Sequence, residues 1–172
     1  MRRRARLAGH GTHDGEGRDV ATSAGLLLHR RVDGRVEVLL GHMGGPFWAR
    51  KDARAWTIPK GEHAPSEAPL DAAVREFTEE VGQPPPPGPD VPLGEVRQRG
   101  GKVVAVWARE GDLDPDAGTP GTFTMEWPPR SGRQATFPEL DVVRWWPLDE
   151  ARPRVVAAHE EFLDRLVAHL GD

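Results

Sequence analysis

Apolar positions along the chain change period several times, and each change marks an element. TSAGLLLHRR (22–31) and VEVLLGHM (36–43) are short apolar runs separated by VDGR, whose Asp33-Gly34 pair is a turn signal. They predict a hairpin or two adjacent strands. The following stretch mixes glycine, proline and tryptophan, which predicts a loop, a short strand around Trp56 to Ile58, and a second loop ending at Gly61. From Leu70 the period lengthens: Leu70, Ala73, Val74, Phe77 and Val81 recur on one helical face. Pro69 suits the first turn of that helix, where a missing N–H costs nothing. Gly82 is a natural stop, and PPPPGP (84–89) forms a stiff extended connection.

LGEVRQRGGKVVAVWARE (93–110) predicts two strands around Gly100-Gly101, and the polar, turn-rich stretch 111–121 predicts a loop. TFTMEW (122–127) and DVVRWWPL (141–148) are the last strands expected, with PPRSGRQATFPEL between them. Val155, Ala158, Phe162, Leu166 and Leu170 then mark a closing amphipathic helix. Strands flanking an internal helix, with a helix at the end, give an α/β or α+β pattern in which helices cover a mixed sheet. No internal repeat is visible.

A length of 172 residues fits one domain. Residues 1–20 begin basic but lack the apolar run of a signal peptide, so they are expected to be a flexible segment, with the domain over residues 21–172. No apolar run approaches the ~18 residues of a membrane span. These features predict a cytoplasmic protein without a membrane partner. The net charge of -4 disfavours DNA as a partner, and the lack of cysteine excludes disulfides, zinc-thiolate sites and a cysteine nucleophile.

The chemistry concentrates in the internal helix. Glu76, Glu79 and Glu80 fall within roughly a 100° arc of its wheel, away from the centre of the apolar face. Like charges at i and i+4 cost ~0.2 to 0.5 kcal/mol per pair, so the cluster calls for a cation. Arg75 is expected at the edge of this arc, unable to neutralise all three carboxylates. A hard divalent ion such as Mg²⁺, held by carboxylates, waters and substrate phosphates, meets the need.

The wider spacing decides against an ordinary solvated helix face. Gly61, Glu67, Arg75, Glu76, Phe77, Glu79, Glu80 and Gly82 match the pattern G-x5-E-x7-R-E-U-x-E-E-x-G-U, where U is apolar, departing only at Gln83. Seven fixed residues at ~6 to 7% each coincide by chance in on the order of one window in a hundred million. The segment resembles the Nudix box, and the resemblance implies a Nudix-type α/β/α sandwich with a mixed β-sheet and a C-terminal helix. It also implies a Mg²⁺- or Mn²⁺-dependent pyrophosphohydrolase that directs water onto a diphosphate.

Carried onto matching positions, the resemblance implies Glu76, Glu79 and Glu80 as metal ligands with the Gly61 backbone close to the metal. Glu67 would stand near the site, Arg75 would orient a glutamate, and one of the box carboxylates or one outside it would activate the water. Glu139 and Glu126 lie in or near a segment that often supplies a further carboxylate in this family. Of the two, Glu139 is taken as the catalytic candidate. Lys60 is a candidate phosphate contact, and Trp48 and Trp56 are candidates to stack on a base. WTIPKG (56–61) looks like the stretch in Nudix enzymes acting on diadenosine polyphosphates, and other segments look like a predicted bacterial nucleotide pyrophosphohydrolase branch. The expected partner is therefore a small-molecule nucleotide, a diadenosine polyphosphate or a nucleoside triphosphate. ADP-ribose, a dinucleotide cofactor or a capped RNA end remain alternatives, as does a non-catalytic nucleotide-binding module.

Overall fold

The computed structural model describes residues 21–171, so the expectation for residues 1–20 lies outside the described residues. β1 (Thr22–Val32) and β2 (Arg35–Met43) form the predicted antiparallel hairpin. β3 (Trp56–Thr57) and β4 (Lys60–Glu62) are short, and α1 (Pro69–Val81) follows. Next come β5 (Asp90–Arg97), β6 (Val103–Glu110), β7 (Thr122–Glu126), β8 (Gln134–Pro138) and β9 (Leu140–Pro147). The chain closes with α2 (Leu148–Ala151), a 3₁₀ turn (Ala157–His159) and α3 (Glu160–Leu170).

A seven-stranded sheet runs β3-β2-β1-β6-β5, with β4 pairing to β1 and β9 to β2. The β1–β6 pairing is parallel and the others are antiparallel, so the sheet is mixed. β1 explains the layering. Its unbroken apolar run Leu26-Leu27-Leu28 has both faces buried, as expected for a central strand. Ala24, Leu26 and Leu28 pack with Ala72, Ala73, Phe77 and Val81 of α1. Leu27 joins Val38 and Leu40 of β2 in packing with Phe162, Leu163 and Leu166 of α3. The result is the α/β/α sandwich that the sequence predicts.

β4 stands where a loop ending at Gly61 was expected, α2 had no predicted counterpart, and two further elements differ from expectation. The stretch between the last two predicted strands contains β8, which pairs with β7 as a separate two-stranded ribbon. Its alternation of Ala135 and Phe137 with Gln134 and Thr136 carried that signal. The closing helix starts at Glu160 rather than Val155 because the preceding backbone is used elsewhere. Val155 bridges Trp56, and the Val156 N–H donates to the Trp56 carbonyl at 2.8 Å.

At its far end α1 stops at Gly82, whose N–H donates to the Thr78 carbonyl in a left-handed conformation (φ 81°). A Cβ there would lie 2.1 Å from the Thr119 backbone, so the loop before β7 can pack onto the helix end only because the residue is glycine. Gln83, the one departure from the box pattern, donates to the Asp114 carbonyl in the same loop at 2.6 Å.

Candidate active site

β4 sets the site by alternation. In the antiparallel register with β1, Lys60 pairs with Gly25 and Gly61 with Ala24. Ala24 belongs to the α1 side of the sheet, so Gly61 meets α1 and the Lys60 side chain is turned to the other face. A Cβ on Gly61 would lie 2.0 Å from the Glu76 carboxyl carbon and 2.1 Å from its Oε2. Glycine is thus what allows the Glu76 carboxylate to rest directly on the β4 backbone.

Glu80, one helical turn later, accepts the Lys60 backbone N–H at 2.9 Å. Burial pushes its carboxyl up to about 8, with Glu139 and Glu76 adding to the rise and Lys60 opposing it. Glu139 reaches the same cavity from the link between β8 and β9. Two backbone bonds pin it: its N–H donates to the Gly121 carbonyl at 2.9 Å, and its carbonyl accepts from Gly44 at 2.8 Å. Gly121 in turn donates to the Glu79 carbonyl at 2.8 Å, tying this arrangement to the last turn of α1. Burial, then the charges of Glu76 and Glu79, raise the Glu139 carboxyl above its ordinary value.

Arg75 organises the other side of the helix. It donates to Glu67 at 2.8 Å, to Glu76 at 2.8 Å and to Glu79 at 3.3 Å. As expected, it cannot neutralise all three helix carboxylates: the guanidinium fork reaches Glu76 and Glu79 as well as Glu67. Only Glu80 is left without it. Glu67 serves as this arginine's main partner, which holds its carboxyl below the usual range, and it does not line the cavity.

The cavity has a volume of about 540 Å³. Gly61, Glu62, Glu76, Glu80 and Glu139 supply its polar lining, and Met43, Gly44, Trp48 and Phe123 the rest. Glu79 is outside this lining, exposed at the rim in its pair with Arg75. Among the described residues, no three acidic or imidazole groups already form a closed coordination set. The donor set nevertheless fits a hard cation. Carboxylate oxygens converge beside an unobstructed glycine backbone, and no lysine or arginine is in the lining. Glu79 and Glu80 also occupy the last turn of α1, which has no basic residue, at the end of the helix where carboxylates are least favoured.

The candidate substrate contacts separate. Trp48 lines the cavity, with the Lys51 ammonium 5.1 Å from its ring centroid. Trp56 does not. It is 4% exposed, edge-on to His42 and Trp146, and its Nε1 donates to Asp52 at 2.9 Å, so neither ring face is free for a base. Lys60 contributes its backbone N–H rather than its ammonium, which is outside the cavity lining and lowered in pKa by burial. Glu126 accepts from Gly132 within the β7–β8 turn and is likewise outside the lining. Phe123 was not singled out from the sequence, although the two-residue period of β7 marks one face of that strand. The loop carrying Trp48 is anchored by His42, whose Nδ1 lies 2.7 Å from Asp141 and whose Nε2 lies 2.6 Å from the Lys51 carbonyl oxygen.

Residues 20–166 match the family model described as NUDIX domain. The chain belongs to the NUDIX domain family. With its box carboxylates intact, it is a Nudix pyrophosphohydrolase. Solved structures with the same fold include a C. elegans Ap4A hydrolase binary complex, 23% identical, covering 88% of this chain and 98% of that one, with a TM-score of 0.60. The NUDIX domain of Shewanella oneidensis NrtR complexed with ADP ribose is 17% identical, covers 88% of each chain, and has a TM-score of 0.58. A mutT/nudix family protein from Listeria innocua is 17% identical over 88% of this chain and 94% of that one, with a TM-score of 0.56. No curated protein matches the sequence. Among the described residues, no helix of this Nudix protein is long and apolar enough to cross a membrane.

Proposed function

We propose that this Nudix protein hydrolyses a nucleoside polyphosphate, a diadenosine polyphosphate or a nucleoside triphosphate, with Mg²⁺ or Mn²⁺. The observation that carries the reading is the convergence of Glu76, Glu80 and Glu139 on one cavity beside Gly61. Glu76 and Glu80, with the Gly61 backbone, would hold the cation, and Glu79 would join them by leaving its ion pair with Arg75. A bound divalent ion supplies neutralisation of the phosphate oxygens and a more acidic water. Glu139, the carboxylate from outside the helix, accepts the proton of the attacking water, for which its raised pKa suits it. Arg75 holds Glu76 in place through the 2.8 Å bond, and Trp48 offers a face to the base.

The diadenosine polyphosphate preference draws on WTIPKG (56–61) and on the likeness to a C. elegans Ap4A hydrolase. The ADP-ribose alternative draws on the likeness to the NrtR domain. Product analysis of the purified protein with either metal, against diadenosine polyphosphates, nucleoside triphosphates, ADP-ribose and dinucleotide cofactors, tests both. The expected result is cleavage between phosphates of a nucleoside polyphosphate, abolished by a chelator. Preferential cleavage of ADP-ribose would overturn the substrate assignment, and tight binding without any cleavage would overturn the hydrolytic reading.

A further inference from the structure

The β7–β8 ribbon carries a feature that the cavity does not account for. Its register pairs Phe123 with Phe137 and Met125 with Ala135. Continuing by twos, Trp127 falls opposite Arg133, and the Trp127 N–H donates to the Arg133 carbonyl at 2.9 Å. Side chains two apart share a face, so Trp127 and Arg133 extend the same face whose Phe123 lines the cavity. Four residue steps lead from Phe123 to Trp127, a reach of about 13 Å. Across the mouth, the loop bearing Trp48 meets the ribbon through Phe47, which is 59% exposed and edge-on to Trp127 at 5.5 Å between centroids.

Charge points the same way. The cavity lining contains four glutamates and no cation. Several arginines, such as Arg30, Arg109 and Arg165, are paired with carboxylates, whereas Arg50 in the Trp48 loop and Arg99 between β5 and β6 are exposed without such a partner among the described residues. Arg133 is exposed and, among the described residues, its side chain has no ion-pair or hydrogen-bond partner, and the same holds for Arg130 in the adjoining turn. An anionic chain leaving this acidic cavity along the same face meets the exposed Phe47 against the half-buried Trp127 and then a free guanidinium, a combination that takes phosphate and base together.

We infer that Arg133, with Trp127 and Phe47, forms a distal subsite for the part of a dinucleoside polyphosphate beyond the three phosphates that ATP also carries, its far phosphate and second nucleoside. The subsite rests on the nucleotide-hydrolase reading above. It makes Arg133 a specificity residue that distinguishes long polyphosphates from short nucleotides.

The test compares diadenosine tetraphosphate with ATP on wild type, Arg133→Ala, Arg133→Lys, and Arg133→Ala combined with Gln134→Lys, which returns a cation to the opposite face of the ribbon. KM is read with Mg²⁺, and Kd by calorimetry with Ca²⁺ in its place. Arg133→Ala is expected to raise KM and Kd for diadenosine tetraphosphate about fivefold, leaving kcat and both ATP constants unchanged. Arg133→Lys should recover most of the loss and the Gln134→Lys combination none. Equal effects on the two nucleotides, no effect on either, or rescue by Gln134→Lys would overturn the subsite. If neither nucleotide is cleaved, the hydrolase reading fails separately, and the calorimetric comparison still decides whether Arg133 discriminates.

Discussion

Glu80→Gln keeps the shape of a buried side chain and removes only its charge. The amide oxygen can still accept the Lys60 N–H, now at 2.9 Å, so the β4–α1 contact survives. What changes is the cost of ionisation. The carboxyl lies near 4.5 in an unfolded chain and is pushed up to about 8 in the folded one by burial. The native state therefore holds a proton that the unfolded state has released, and stability falls as pH rises across that window. At ~1.4 kcal/mol per pH unit the ceiling is about 5 kcal/mol, and screening through the open cavity reduces this to roughly 2 to 3 kcal/mol. Without metal at pH 8, the variant should then melt roughly 5 to 10 °C above wild type, with the gap closing near pH 5. Thermal unfolding in a chelator at both pH values reads this directly. The same variant should lose at least about a hundredfold in Mg²⁺-dependent turnover. A variant less stable than wild type at pH 8, or a gap unchanged at pH 5, would mean that burial does not hold the Glu80 proton in the folded state.

Gly61→Ala places a methyl group 2.0 Å from the Glu76 carboxyl carbon and must displace it; turnover should fall about a hundredfold while circular dichroism stays that of a folded protein. Arg75→Ala frees Glu67, Glu76 and Glu79 together, and metal titration should show affinity weakened by about tenfold or more, with Glu67→Gln giving a smaller loss. Trp48→Ala should raise KM about fivefold or more with little change in kcat in steady-state assays, whereas Trp56→Ala should destabilise the fold by roughly 3 kcal/mol or more in denaturant unfolding.

The helix that presents the carboxylates was legible because thirteen residues supply several helical turns of apolar spacing, bounded by Pro69 and Gly82. β4 was harder. Three residues give barely one alternation, so nothing local said whether Lys60 or Gly61 would face the glutamates. The answer came from its pairing with β1. Trp56 shows the same limit: a tryptophan in a loop-flanked strand has the same local sequence whether its ring faces a cavity or packs between His42 and Trp146. Glu139 was nameable from its segment, but its approach to Glu76 depends on backbone bonds to Gly44 and Gly121, far apart in the chain. Phe123 and the β8 strand were missed because a five-residue alternation is weak beside the turn residues around it.

On the proposed reading, Glu76 and Glu80 hold a divalent cation beside Gly61. Mn²⁺ titration followed by electron paramagnetic resonance of the free ion tests it most directly, using wild type and the Glu76→Gln/Glu80→Gln variant. Wild type should deplete the free Mn²⁺ signal saturably and the folded variant should leave it unchanged; equal depletion by both would mean that these carboxylates do not hold the ion.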